Sequence, residues 1–319
     1  MELRSLGTSE VQMSPIIMGT WQAGKEMWVG IDDSETIKAL RAAFDAGITS
    51  IDTAEYYGHG HSERVIGEAL AKVRDQVVYA TKVFANHLKY DQVMEACRRS
   101  LENLGTDYID LYQIHWPAGS WGTEYVPIEE TMGALNDLKE QGKIRAIGVS
   151  NFSRAQLEEA AGYGRIDSLQ PPYSLFWRQV EKDARPYCIK NNITILAYSA
   201  MAQGLLTGKF GLNHKFARGD HRSKNKLFKP ENFERIQQAL DRLRPIAERN
   251  GIGLGQLALG WLIAQPNTCA IAGARNAEQV RQNASAGEIL LSAVDLEEID
   301  HIGRSVTDRL DDNPVMWEF

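Results

Sequence analysis

Ile48-Thr49-Ser50-Ile51 runs without a break into Asp52-Thr53-Ala54-Glu55-Tyr56-Tyr57-Gly58. The first run is apolar or β-branched and reads as a strand. The second is a polar, aromatic turn carrying a carboxylate and two phenols, placed directly at the strand's end. Upstream, Gly47 closes a helical pattern formed by Ile37, Leu40, Ala43 and Phe44, and Asp32-Asp33-Ser34 opens it with an N-cap signal. Before that helix, Ile16-Ile17-Met18 forms another apolar run and stops at Gly19. The unit is strand, helix, strand.

Downstream the alternation recurs, with strand candidates at Val77–Ala80, Ile109–Ile114, Ala146–Val149, Ser168–Gln170, Ile193–Ala197 and Cys269–Ala272, most followed by helical patterns. Together with the first two runs these make eight strands separated by helices. That pattern predicts an α/β fold of parallel strands, and in this length it favours a closed (β/α)8 TIM barrel over an open sheet. Glu2–Ser14 alternates around Gly7-Thr8 and predicts an N-terminal β-hairpin ahead of the barrel. Between Gly204 and Glu231, after the seventh strand, the pattern lapses into a polar, basic stretch containing Arg218-Gly219-Asp220-His221-Arg222-Ser223-Lys224; this long loop is expected beside the ligand site. No linker or composition shift divides the chain, so residues 1–319 are read as a single domain. The tail after Ser305, through Asp311-Asp312-Asn313-Pro314-Val315-Met316-Trp317, either covers the barrel mouth or frays.

The 319 residues are 43% hydrophobic and 24% charged, with no apolar run near the ~20 residues that span a bilayer and no secretory signal at the start. A cytoplasmic protein is expected. The net charge of −7 gives no general reason to bind nucleic acid. Cys97, Cys188 and Cys269 are widely spaced and lack any CxxC, which suggests buried thiols and not a disulfide framework or zinc site.

In a barrel of this kind the active site lies at the C-terminal ends of the strands. The second strand delivers Asp52 and Tyr57 there, the third Thr81-Lys82, the fourth His115-Trp116-Pro117, and the fifth Ser150-Asn151-Phe152. Taken singly, each has an ordinary explanation: Asp52 as a helix cap, Tyr57 as packing, Lys82 as a solvated charge, His115 as a core histidine. Their convergence on one rim favours chemistry. A phenol titrates near pH 10, and a neighbouring ammonium such as Lys82 is expected to lower it toward the range useful for acid–base work. Asp52 would keep the lysine charged, and His115 would offer a hydrogen bond to a carbonyl oxygen.

Other motifs point away from common alternatives. Gly58/Gly60 and Gly253/Gly255 both fail the third glycine of a Rossmann fingerprint, and Gly204–Lys209 has the wrong spacing for a P-loop, with Phe210 where Ser or Thr is required. His59 and His61 have no third ligand, so no metal is expected; Glu63 reads as the start of a helix, Glu63–Leu70.

Gly19-Thr20-Trp21, Asp52-Thr53-Ala54-Glu55-Tyr56-Tyr57-Gly58, Ala80-Thr81-Lys82, Asp110-Leu111-Tyr112-Gln113-Ile114-His115-Trp116-Pro117 and Gly148-Val149-Ser150-Asn151-Phe152, in this order, resemble the motifs of the aldo-keto reductase family over essentially the whole chain. Gln170-Pro171-Pro172-Tyr173, Gly204-Leu205-Leu206-Thr207-Gly208-Lys209 and Trp28-Val29-Gly30-Ile31-Asp32-Asp33 resemble its bacterial general-stress branch most closely. The resemblance implies an oxidoreductase that reduces aldehydes or ketones with NADPH, through a tetrad of Asp52, Tyr57, Lys82 and His115. Tyr57, five residues after the aspartate, matches the proton donor, leaving Tyr56 as a packing or wall residue.

For the cofactor, the resemblance implies that Ser150, Asn151 and Gln170 hold the carboxamide and Tyr198 stacks on the nicotinamide. Gly19, Thr20 and Trp21 would line the groove, Ser199, Met201, Gln203, Gly204, Leu205 and Lys209 the pyrophosphate region, and Gly273 the start of the adenosine site. Arg275 matches the position holding the 2′-phosphate, with Gln279 and Asn283 facing the adenine, and this underlies the expectation of NADPH over NADH. Lys209, Arg218 and Arg222 are expected on a flap around the phosphate. Trp28 and Trp116, with Tyr57 and His115, would contact a small-molecule carbonyl substrate, in an aromatic pocket that also includes Trp121 and Trp177. Stress-linked detoxification of aldehydes is a fitting role. Three alternatives remain: a cofactor-binding regulatory module like potassium-channel β subunits, to which the intact tetrad is opposed; carbon–carbon double-bond reduction, to which His115 is opposed; and a phosphate-processing barrel, for which no acidic metal cluster is present.

Overall fold

The computed structural model describes residues 1–26, 28–212 and 214–316, so Met27 in the loop Ala23–Gly30, Asn213 in the long loop and Trp317 at the end of the tail lie outside the described residues. Strands β1 (Arg4–Ser5) and β2 (Gln12–Met13) pair antiparallel as the expected hairpin. Eight parallel strands then close a barrel: β3 (Ile16–Gly19), β4 (Ser50–Asp52), β5 (Val78–Val83), β6 (Ile109–Ile114), β7 (Ile144–Ser150), β8 (Ser168–Gln170), β9 (Thr194–Ala197) and β10 (Thr268–Gly273), with β10 returning to β3. Around it run α1 (Asp33–Asp45), α2 (His61–Leu70), α3 (Tyr90–Leu104), α4 (Ile128–Glu140), α5 (Arg154–Ala161), α6 (Ala184–Lys190), α7 (Pro230–Arg249), α8 (Leu254–Ile263), α9 (Ala277–Ser285) and α10 (Ala293–Thr307). The (β/α)8 barrel and all eight expected strand positions are present.

Two interiors follow from the period-2 alternation of the strands. Outward residues such as Ile51, Tyr79, Ile114 and Val149 pack under the helices. Inward residues Ile17, Ala80, Leu111, Ala146, Leu196 and Cys269 form a separate apolar layer with Leu6, Val11 and Met13 of the hairpin, which therefore plugs the N-terminal end of the barrel. One step further along the strands the same inward positions become polar, at Asp52, Lys82, Gln113, Ser150 and Gln170, all of them buried. An apolar floor beneath a polar layer fixes which end carries the chemistry.

The polar layer needs room. Gly148 supplies it, because a Cβ there would lie 2.2 Å from Ser168 Oγ and 2.9 Å from Gln113 Cγ. Gly148→Ala is expected to lose about 1–3 kcal/mol of stability through overpacking, measured by denaturant unfolding.

Several expectations change. β4 ends at Asp52 and β5 at Val83, later than the apolar runs suggested, because Asp52 and Lys82 pair in the ladder opposite Ala80 and Gln113 despite their charge. Helix α2 begins at His61, two residues before the expected start, and Glu63, on its first turn, is fully buried. The long segment after β9 is organised into short 3-10 turns, including Ala202–Thr207, His221–Lys224 and Lys226–Phe228, before α7 begins at Pro230. The tail does not fray through Met316: Trp177 Nε1 donates to Pro314 O at 3.2 Å, the Lys226 amide donates to Met316 O, and Met316 is fully buried. Among the described residues no helix is long and apolar enough to cross a membrane.

Candidate active site

Lys82 enters from the penultimate position of β5 with no exposed surface. Its Nζ donates to Asp52 Oδ1 at 2.7 Å and to the Thr53 carbonyl at 2.6 Å, and it lies 3.5 Å from the Tyr57 hydroxyl. Asp52 comes from the end of β4 on the neighbouring strand, so the pair is set by ladder register. Tyr57 arrives on the turn that follows, and this turn sits so close to Gly24 that a Cβ there would be 2.7 Å from the Tyr57 carbonyl carbon. The Tyr57 ring meets His115 edge-on at 5.7 Å between centroids and faces Trp21 at 6.5 Å. Asp52, Tyr57, Lys82 and His115 are thus brought together.

The electrostatics differ from the sequence expectation in one respect. Burial pushes the Tyr57 phenol well above its ordinary value, and the Asp52 carboxylate pushes it the same way. The expected lowering by Lys82 fails because that ammonium is itself engaged by Asp52 and the Thr53 carbonyl. Burial pulls Lys82 down while Asp52 supports its charge. Burial, followed by the Lys82 charge, holds His115 well below the usual imidazole value, so it is neutral at physiological pH. The phenol thus keeps its proton beside a neutral imidazole.

The expected carboxamide residues join the same network. Gln170 Nε2 donates to Asp52 Oδ2 at 2.8 Å and lies 3.4 Å from Gln113 Oε1, so both amide hydrogens face inward and Oε1 is left for another donor. Ser150 Oγ donates to the Gln170 carbonyl, and Asn151, at φ +63°, donates through Nδ2 to the His115 carbonyl and to Ser150 Oγ. Tyr198 OH donates to Asn151 Oδ1 at 2.9 Å, which fixes its ring at the rim half-buried. Gly19 and Gly273 are ladder neighbours, and Thr20 Oγ1 donates to the Asp52 carbonyl.

Further out, Ser199 and Gln203 take left-handed conformations (φ +54° and +55°) in the turns leading to Gly204 and the buried Leu205, with Met201 between them. Gln203 is spanned by His221 and Asn225. Lys209, Arg222 and Arg275 crowd together: burial and then the two arginines pull Lys209 down, and burial and then Arg222 pull Arg275 down. Arg222 is already paired with Asp220 at 2.5 Å, whereas Arg218 is exposed. The Arg275 amide donates to Gln279 Oε1, Asn276 caps α9, and Asn283 Nδ2 turns back to the Gly273 carbonyl.

Of the expected substrate wall, Trp116 packs edge-on against Trp121 at 5.3 Å. Trp28 packs against Trp21 at 5.4 Å and also lies 5.7 Å below the Arg275 guanidinium, so it borders the cation cluster as much as the Tyr57 side. Trp177 is not part of an open pocket, being fully buried with its indole N–H donated to the tail. Tyr56 stacks on Phe84 at 4.1 Å. His59 and His61 turn to separate carboxylates, Glu26 and Asp33.

Sequence reasoning missed Gln113 and Glu55 as members of this network. Gln113 was legible as the inward position two residues before His115. Glu55 accepts from the Phe84 amide, His87 and Arg99, tying the turn after β4 to the loop after β5, and nothing local announces that contact.

The model of the aldo/keto reductase family matches residues 15–304. Aldo-keto reductase YhdN of Bacillus subtilis (strain 168) is 38% identical over 314 residues, covering 95% of this chain and 93% of its own. The NADH-specific methylglyoxal reductase of Escherichia coli (strain K12) is 35% identical over 312 residues, covering 91% and 94%. Among solved structures, an aldo-keto reductase from Klebsiella pneumoniae in complex with NADPH superposes with a TM-score of 0.77 at 29% identity, covering 100% of both chains. With the family model matched from the first barrel strand to the last helix, this chain belongs to the aldo/keto reductase family.

Proposed function

We propose that the chain, as one domain over residues 1–319, is an NADPH-dependent reductase of aldehydes and ketones in which Tyr57 is the general acid. The observation that carries this reading is the Tyr57 hydroxyl 3.5 Å from a fully buried Lys82 that Asp52 holds at 2.7 Å. The residues fit a phosphorylated dinucleotide on their own chemistry. A half-buried Tyr198 ring stands beside Asn151 and Ser150, and Lys209, Arg222 and Arg275 share one carboxylate, Asp220, which leaves a net positive cluster suited to an anion. The buried Trp28 Nε1 and His115 Nδ1 also have no partner within the described residues.

When bound, NADPH supplies a hydride to the carbonyl carbon. Tyr57 transfers its O–H proton to the carbonyl oxygen, a step worth ~10²–10⁴-fold. The phenolate left behind is met by Lys82, whose charge Asp52 maintains. Neutral His115 hydrogen-bonds the oxygen and orients it. The rings of Trp21, Trp28, Phe84 and Trp116 exclude water and favour a small or apolar carbonyl compound. The test is NADPH consumption with a panel of aldehydes and ketones, using cofactor deuterated at C4. Deuterium should appear on the product's carbinol carbon; cofactor bound without turnover would favour the regulatory-module reading.

Cofactor choice is tested separately, since the Escherichia coli relative is NADH-specific. Arg275→Ala is expected to raise KM for NADPH by about 10- to 100-fold, the worth of a charge-assisted contact, with KM for NADH little changed. An equal effect on both cofactors would remove Arg275 from 2′-phosphate recognition.

A further inference from the structure

Glu63 is fully buried on the first turn of α2, yet among the described residues no cation lies within ion-pair distance of it. Its two oxygens are held by neutral donors only: Thr81 Oγ1 at 2.7 Å and Asn103 Nδ2 at 3.0 Å. Thr81 points outward from β5, and its neighbour Lys82 points inward. Glu63 therefore stands directly behind the strand residue that carries the buried ammonium. A buried carboxylate without a counter-charge is costly, several kcal/mol by the usual scale. A hydrophobic residue would fill this place at lower cost if packing were its only task.

The groups that face Glu63 narrow what its charge can act on. Glu55, from the turn after β4, is already answered by Arg99 and His87. Cys97 on α3 and Tyr112 on β6 are neutral groups pushed up chiefly by burial, with Glu63 adding to it. Of the cations nearby, Arg99 is committed to Glu55 and Arg64 donates to Asn103 Oδ1, whereas Lys82 is fully buried and Glu63 supports its charge after Asp52 does. The Glu63 carboxyl sits above its usual value: burial pushes it up, hydrogen bonds from Thr81, Ser100 and Asn103 only partly offset this, and the Glu55 charge adds to the rise.

We propose that Glu63 is a positioning residue for the reduction, a second buried carboxylate that, with Asp52, keeps Lys82 charged and aimed at Tyr57. This rests on the role given to Tyr57 and Lys82 above. The sign is fixed: removing a negative charge near an ammonium lets it lose its proton at lower pH.

The test follows Lys82 directly in the cofactor-free protein, by the ¹³Cε resonance of labelled lysine, assigned through its loss in Lys82→Arg. In Glu63→Gln that resonance is expected to titrate about one pH unit lower, and the alkaline limb of kcat/KM to move the same way. Thr81→Val, which keeps the charge and removes a hydrogen bond, should lower Tm and leave both readouts in place. If Glu63→Gln does not fold, Glu63→Met, which needs no hydrogen-bond partner, gives the same readouts. An unmoved Lys82 resonance in the neutral variant overturns the proposal. A moved resonance in a protein that reduces no carbonyl compound would instead overturn the reductase reading and leave the charge coupling standing.

Discussion

Tyr57→Phe is expected to lower kcat by ~10²–10⁴-fold while NADPH binds as in the wild type. The substitution removes one oxygen and little else. The ring keeps its edge contact with His115 and its face toward Trp21, and the hydroxyl's nearest recorded partner, Lys82, is at the long distance of 3.5 Å. Stability should therefore change by no more than about 1 kcal/mol, the net worth of one hydrogen bond. Turnover with an aldehyde, an NADPH titration followed by fluorescence, and a denaturant curve separate the three quantities. Tyr56→Phe is the matched control: that ring stacks on Phe84 and is 38% exposed, and its variant should keep wild-type kcat. Full activity in Tyr57→Phe would remove the residue from the chemistry.

The barrel was legible because most strands announced themselves twice, by an apolar run and by the helix signal after it. The rim was legible because Asp52, Lys82, His115 and Ser150 stand immediately after apolar runs, where a parallel barrel places its chemistry. What the sequence did not convey depends on distant partners. Nothing near Glu63 shows that Thr81 and Asn103 will bury it, nor near Trp177 that the tail will take its indole N–H. The direction of the Tyr57 shift was misjudged for the same reason. Proximity to an ammonium lowers a phenol only when that ammonium is uncommitted, and here Asp52 and the Thr53 carbonyl claim it first. The ends of β4 and β5 also ran past their apolar runs, because charged residues that satisfy each other across a ladder can sit inside a barrel.

That mutual satisfaction leads to the second large effect. Lys82→Met is expected to destabilise the fold by about 3–5 kcal/mol, because it strands the Asp52 carboxylate, itself buried, with the Gln170 amide its one remaining donor among the described residues. Activity should fall with it, by at least ~10²-fold, since the phenolate formed at Tyr57 loses its neighbouring charge. These two losses have different causes and can be separated. In Asp52→Asn/Lys82→Met no charge is left unpaired, and neutral, well-packed replacements of buried ion pairs often restore stability, so the double variant should regain about 2 kcal/mol or more in denaturant unfolding. Its kcat should stay as low as that of the single variant. Recovery of stability without activity would show that Asp52 and Lys82 are kept for the chemistry at Tyr57 and not for the fold. If the double variant is as unstable as Lys82→Met, the lysine's packing and its bond to the Thr53 carbonyl outweigh the ion pair in holding the rim together.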